Sequence, residues 1–185
     1  DNYITVFGKS FISPVADFGL LTYHYYLTDS AFLNNKWCYK LDFNPKRKHE
    51  LTFVGEMWIS DTTYAVKQIT AKVSENANIN FINDFSVYQE YNEVENEVWM
   101  MTRDELIVDF IVSKKAVGFY GRKTSTYRDF IINKPRNDTF FKGMEDIIVS
   151  NSAGKKPEEY WTEARHVKLT KQEAEIYAMI DTLTE

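Results

Sequence analysis

The side chains with the widest chemical reach in this 185-residue sequence are three histidines and one cysteine. His24, His49 and His166 are far apart, and none stands in an H-E-x-x-H pattern that would set two ligands on one helix face, so no metal site is indicated. Cys38 alone can form neither an internal disulfide nor a multi-cysteine zinc site. It alternates with Trp37 and Tyr39, with no nearby motif to lower its pKa, which marks a small packed residue rather than a nucleophile. A hydrolase would need His24, Asp109 or another carboxylate to converge with a second polar group across a cleft, and no local spacing announces that. Gly118-Phe119-Tyr120-Gly121-Arg122-Lys123-Thr124 has the wrong glycine spacing for a phosphate loop; its two close glycines suggest a bulge or sharp bend. Lys46, Arg47 and Lys48, followed by His49, are a candidate contact for lipid head groups or an acidic partner. The competing reading is a solvated hairpin tip.

The more informative chemistry is apolar. Val54 and Trp58 lie opposite a face carrying Leu51, Phe53 and Met57, and Ile107 and Ile111 lie opposite Leu106, Val108 and Phe110. With Tyr88 these residues, Val54, Trp58, Ile107 and Ile111, make a candidate second apolar face for a lipid, an acyl chain or an apolar peptide, since such sites are mostly apolar with a few polar groups. The alternative is that helices and loops of the same chain cover it.

Period-two alternation supplies the elements that must hold these residues. Strands are expected over 21–27, 37–43, 51–59 and about 64–73, with turns at Pro45–His49 and Ser60–Thr63. After a connection punctuated by Asn76, Asn78, Asn80 and Asn83, a fifth strand carries Phe85, Val87 and Tyr91. Residues 98–101 and 106–112 read as two strands or one bulged strand, and 117–120 and 127–132 as the last. Short connections without helical pattern favour an antiparallel meander, curved as sheets are. In the tail, Pro157-Glu158-Glu159 opens a helix, and Thr170-Lys171-Gln172-Glu173 is a capping box for a second one over 171–183. Its stripe of Ile176, Tyr177, Ile180 and Leu183 needs a partner, for which the sheet is the obvious choice. The expected fold is α+β, mainly β: a half-barrel-like antiparallel meander over about 19–133, with C-terminal helices from 157–185 packed on the sheet in one domain of 1–185.

Composition agrees. With 44% hydrophobic and 16% aromatic residues the chain can fill a core, and a net charge of −5 lacks the basic footprint of a nucleic-acid binder. No apolar stretch reaches the roughly 18 residues of a membrane-spanning helix.

Several segments in order carry a family resemblance: Ser13-Pro14 ahead of Tyr23-His24-Tyr25-Tyr26, the run Cys38 to Lys48, Leu51 to Ile59, Ala77 to Asn83, Gly118 to Lys123, and in the tail Tyr160 to Arg165, Leu169 to Glu173 and Tyr177 to Asp181. Together they resemble domain-of-unknown-function family 5686, envelope proteins of Gram-negative bacteria. The hairpin from Gly55 to Tyr64 also resembles the half-barrels of periplasmic lipoprotein carriers. The family's full-length members place a carboxypeptidase regulatory-like sandwich before this region and an expected outer-membrane barrel after it. The resemblance therefore implies a middle segment of a longer chain, starting at Asp1 rather than Met, on the periplasmic face of the outer membrane and membrane-associated only through the full-length protein. It brings no catalytic residues and no cofactor. The expected role is a non-enzymatic module binding an apolar ligand or a partner chain; a spacer or docking domain between sandwich and barrel is the alternative, and a hydrolase the third class.

Overall fold

The computed structural model describes residues 1–74, 77, 79, 81–111, 118–142, 149, 151–152 and 155–184. The chain forms two compact units, Asp1–Phe130 and Ile131–Glu185.

In the first unit, β1 (Tyr3–Val6) and β2 (Lys9–Ile12) form a hairpin, a short helical turn α1 spans Gly19–Thr22, and seven strands follow: β3 (Tyr23–Leu33), β4 (Lys36–Pro45), β5 (Phe53–Ser60), β6 (Val66–Val73), β7 (Ile82–Glu95), β8 (Val98–Phe110) and β9 (Phe119–Thr126). These seven pair in chain order, every neighbour antiparallel, into one open sheet whose edges are β3 and β9. The expected meander is therefore present as an open sheet, mainly β, followed by C-terminal helices.

One face of the sheet carries Tyr23, Phe43, Phe53, Met57, Ala71, Phe85 and Val108, all buried. The β1–β2 hairpin adds Val6 and Phe11 to that core. Phe11 meets Phe53 at 5.2 Å between ring centres, and Phe7 stands edge-on to Phe85 and Phe110. Fully burying a side chain such as Phe11, Phe43, Phe53 or Met57 contributes about 1.5–3 kcal/mol. The hairpin can turn in two residues because Phe7 and Gly8 both take positive φ, as a tight β-hairpin requires. Gly55 is placed by a different need: a side-chain carbon there would lie 2.0 Å from the Thr70 carbonyl oxygen, so β5 and β6 approach too closely for any other residue.

Several expectations are corrected. The first sheet strand starts at Tyr23, not Leu21: the amides of Gly19 and Leu21 donate to Ala16 and Phe18, winding 19–22 into a helical turn that leaves Leu20 and Leu21 exposed. The sheet's last strand is 119–126, while 127–132 is not a strand. No bulge forms at Gly121, which pairs regularly with Val108 within β9, and Gly118 precedes that strand. The β1–β2 hairpin lies outside the range in which strands were expected. Asn76, Asn78, Asn80, Val112 and Val117 lie outside the described residues.

The second unit holds a 3-10 turn (Asp138–Phe141) and helices α2 (Glu158–Ala164) and α3 (Lys171–Thr184). The capping box forms: the Glu173 amide donates to the Thr170 hydroxyl at 3.3 Å, and the Thr170 amide donates to the Glu173 carboxylate at 2.8 Å. Ile176 and Tyr177 of the stripe are exposed; the side chains of Ile180 and Leu183 lie outside the described residues.

Candidate functional site

Register places four of the five expected second-face residues on one face of the sheet, none of them paired with another. Trp58 stands between Lys40 and Gln68, Val54 beside Lys72, Tyr88 between Thr70 and Glu105, and Ile107 between Ser86 and Arg122. All four are half-buried, and each has polar cross-strand neighbours. Ile111 follows the end of β8, exposed, its amide donating to the Phe81 carbonyl. The face is a lattice of paired polar groups. Lys40 meets Glu56 at 2.7 Å, Arg122 meets Glu105 at 3.1 Å, and Arg103 holds the other oxygen of Glu105. Gln68 donates to the Tyr88 hydroxyl, which in turn donates to Glu90. The hydrogen bond that the Lys40 ammonium donates to Glu56 holds it above its usual pKa, and burial, reinforced by Glu90, raises the Tyr88 phenol. An acyl chain laid across these groups would strip them of water without replacing it, which is costly.

A buried lysine that the sequence reading did not single out lies at one end of the sheet. Lys67 is the extra residue of a bulge, since Trp58 pairs with Gln68 but Ile59 with Val66. It is 2% exposed. Its ammonium donates to the Tyr91 carbonyl at 3.0 Å and to the Asn92 side-chain oxygen, and lies 3.5 Å from a Glu90 carboxylate oxygen. Thr102 is the extra residue of a second bulge, on β8. Its hydroxyl accepts from Asn92 at 2.8 Å and donates to the Glu90 carbonyl at 3.3 Å. An ammonium has three protons and no lone pair while charged, so with three acceptors it serves as a strut. The signal for it was in the sequence: Val66 and Ile69 stand three apart, where an unbroken strand alternates by two.

Cys38 is fully buried opposite Ser60, and burial raises its thiol pKa against the opposing pull of Lys67, so the thiol stays protonated. His24 is exposed on β3, whereas Asp109 is on β8 and accepts from Asn83, so these two do not converge. Among the described residues no group of three His, Cys, Asp or Glu could hold a metal ion.

The basic stretch forms the exposed β4–β5 connection, as its composition suggests. It is tied to α1: the Lys46 amide donates to Thr22 at 2.8 Å and its ammonium to the Leu20 carbonyl at 2.6 Å. Arg47 pairs with Glu50 at 2.6 Å, and Lys48 is exposed. In the second unit an open depression of about 640 Å³ is lined by Ile131, Lys134, Arg136, Asn137 and Thr139.

The sheet edges differ in chemistry. β9 carries Arg122 and Lys123, whereas β3 has neither lysine, arginine nor proline over its 11 residues and exposes Tyr26, Leu27 and Phe32.

Residues 1–130 match the family of unknown function DUF5686. The chain belongs to this family. The matched residues are those of the strand-rich first unit of this DUF5686 chain; the tail segments that resemble the family lie beyond them. Comparison with curated proteins and with solved structures finds no match.

Proposed function

We propose that the first unit is a non-enzymatic interaction module of a cell-envelope protein, and that it takes an extended segment of a partner chain as an additional strand along β3. The observation that carries this reading is the long β3 edge, free of lysine, arginine and proline. Natural sheets guard their edges with such residues because unpaired N–H and C=O groups invite another strand. β9 carries two such residues beside its exposed Phe119 and Tyr120; β3 carries none and presents Tyr26, Leu27 and Phe32. The Lys46 amide bonds to the Thr22 carbonyl. By antiparallel alternation Tyr25 and Leu27 then turn their backbone groups outward, away from β4. Main-chain pairing would supply affinity, and the exposed side chains selectivity. The competing reading, a lipid on the second face, meets the charged lattice around Trp58. The envelope address follows from the family resemblance.

Photo-crosslinking in native cells tests this. A benzophenone amino acid in place of Leu27 or Phe32 is expected to give a discrete adduct in the envelope fraction, and one in place of Thr124 on β9 none. Equal labelling at both edges, or none at β3, would overturn the reading.

A further inference from the structure

We propose that the corner formed by α1 and the β4–β5 connection is a docking surface for an anionic phospholipid bilayer. Leu20 and Leu21 are 74% and 73% exposed, side by side on one helical turn. Isolated exposed leucines are ordinary; two adjacent ones held out by a fixed turn are not. The turn is fixed from three sides. Gly19 donates to Ala16 and Leu21 to Phe18, the Tyr25 hydroxyl donates to the Pro14 carbonyl at 2.7 Å, and Lys46 ties the β4–β5 connection to Thr22 and Leu20. The Lys46 ammonium also satisfies the Leu20 carbonyl, a helix-end acceptor that would otherwise lose its water in an interface.

The same tie sets Lys46 beside the leucines, and Arg47 and Lys48 follow it in the same exposed connection, with Glu50 the acid paired to Arg47. Apolar side chains rimmed by long basic ones are what a bilayer surface selects: the aliphatic groups enter the acyl boundary while cations meet phosphates. Charge supports this occupant over a protein. The whole chain carries −5, so an anionic surface repels the molecule generally and attracts this corner, which also fixes orientation. The two leucines protrude rather than line a groove, and a fluid lipid surface accepts a protrusion without a complementary pocket.

Vesicle flotation of the 185-residue chain decides it, with vesicles of phosphatidylcholine alone or with about one quarter phosphatidylglycerol at near-physiological salt. The chain should float with the anionic vesicles and not the neutral ones. Leu20→Ser with Leu21→Ser, and separately Arg47→Glu with Lys48→Glu, should each weaken binding at least about tenfold. These positions are exposed, and unchanged circular dichroism would confirm that the variants fold. Failure of the parent chain to float, flotation unaffected by either pair, or a self-association that the leucine pair abolishes, would overturn the proposal. A β3 variant that loses strand addition should float as the parent does, so the two readings fail separately.

Discussion

At the scale of the residue, Tyr23 does more than fill space. Its hydroxyl donates to the Ile12 carbonyl at 2.5 Å and accepts from the Phe53 amide at 3.1 Å, joining the β2 end of the hairpin to the sheet through a side chain 1% exposed. Burial pushes the phenol up to about 12, with the Phe53 amide opposing and Tyr25 and Glu50 adding to the rise. An unfolded tyrosine titrates near 10. The raised pKa means the folded state holds this proton more tightly. Its contribution is complete below about pH 10 and declines between about 10 and 12, where the unfolded chain has already released the proton. At about 1.4 kcal/mol per pH unit the loss is up to about 2–3 kcal/mol. Urea unfolding should lose about 1.4 kcal/mol of stability between pH 8 and pH 11, with the rest of the fall following towards pH 12. Tyr23→Phe should cost about 2–3 kcal/mol at pH 8, because two buried backbone groups lose their partner, and flatten the alkaline slope. A smaller slope should remain, since burial also raises Tyr25 and Tyr91.

At the scale of the element, two bulged strand pairs are locked to each other by one cation. Lys67 on β6 reaches the backbone and side chains of β7, and Asn92 carries the link onward to Thr102 on β8. Removing the ammonium takes the donor from the Tyr91 and Asn92 oxygens and leaves the Glu90 carboxylate without its cation, with the Tyr88 hydroxyl and the Asn92 amide donating to it at 3.5 Å. Lys67→Ala is therefore expected to cost about 3–5 kcal/mol in urea unfolding. Lys67→Met, which keeps the volume, should cost less, and adding Glu90→Gln to it should recover part of the loss because the orphaned charge is gone. Strictly additive losses would show that the pair is not coupled. These bulges also mark where the sequence stopped being legible. Alternation located β4 through β8, and the doubt over one or two strands at 98–112 falls at Thr102, where the register of a single strand shifts. It gave the right face for Val54, Trp58 and Ile107. What alternation cannot convey is which cross-strand neighbour each side chain meets. Trp58 read as part of an apolar face because Lys40 and Gln68 are distant in sequence and adjacent only through register. The Tyr3–Ile12 hairpin was legible in principle from Phe7-Gly8 between two alternating runs. Leu21 misled because apolar alternation continues through residues that the Phe18 and Ala16 carbonyls draw into a helical turn.

At the scale of the whole molecule, a structural boundary and a family boundary coincide. The first compact unit ends at Phe130, and the family match covers residues 1–130. The first unit contains a continuous core running from Val6 and Phe11 of the hairpin through Phe43 and Phe53 to Val108. All seven strands of the sheet pair within it. A domain with its own core and complete strand pairing can fold alone, and at this size it should unfold in one cooperative step. The fragment of residues 1–130 is expected to melt as a single transition, with a far-ultraviolet spectrum dominated by strand and a midpoint within about 5 °C of the sheet transition in the 185-residue chain, a shift corresponding to roughly 1 kcal/mol. The complementary fragment, 131–185, has a size at which a lone core is marginal. Its α3 exposes Ile176 and Tyr177, so its helices should be only partly formed at 25 °C. A broad, non-cooperative melt of 1–130 would mean that the sheet depends on residues after Phe130, and the family boundary would then not mark a folding unit.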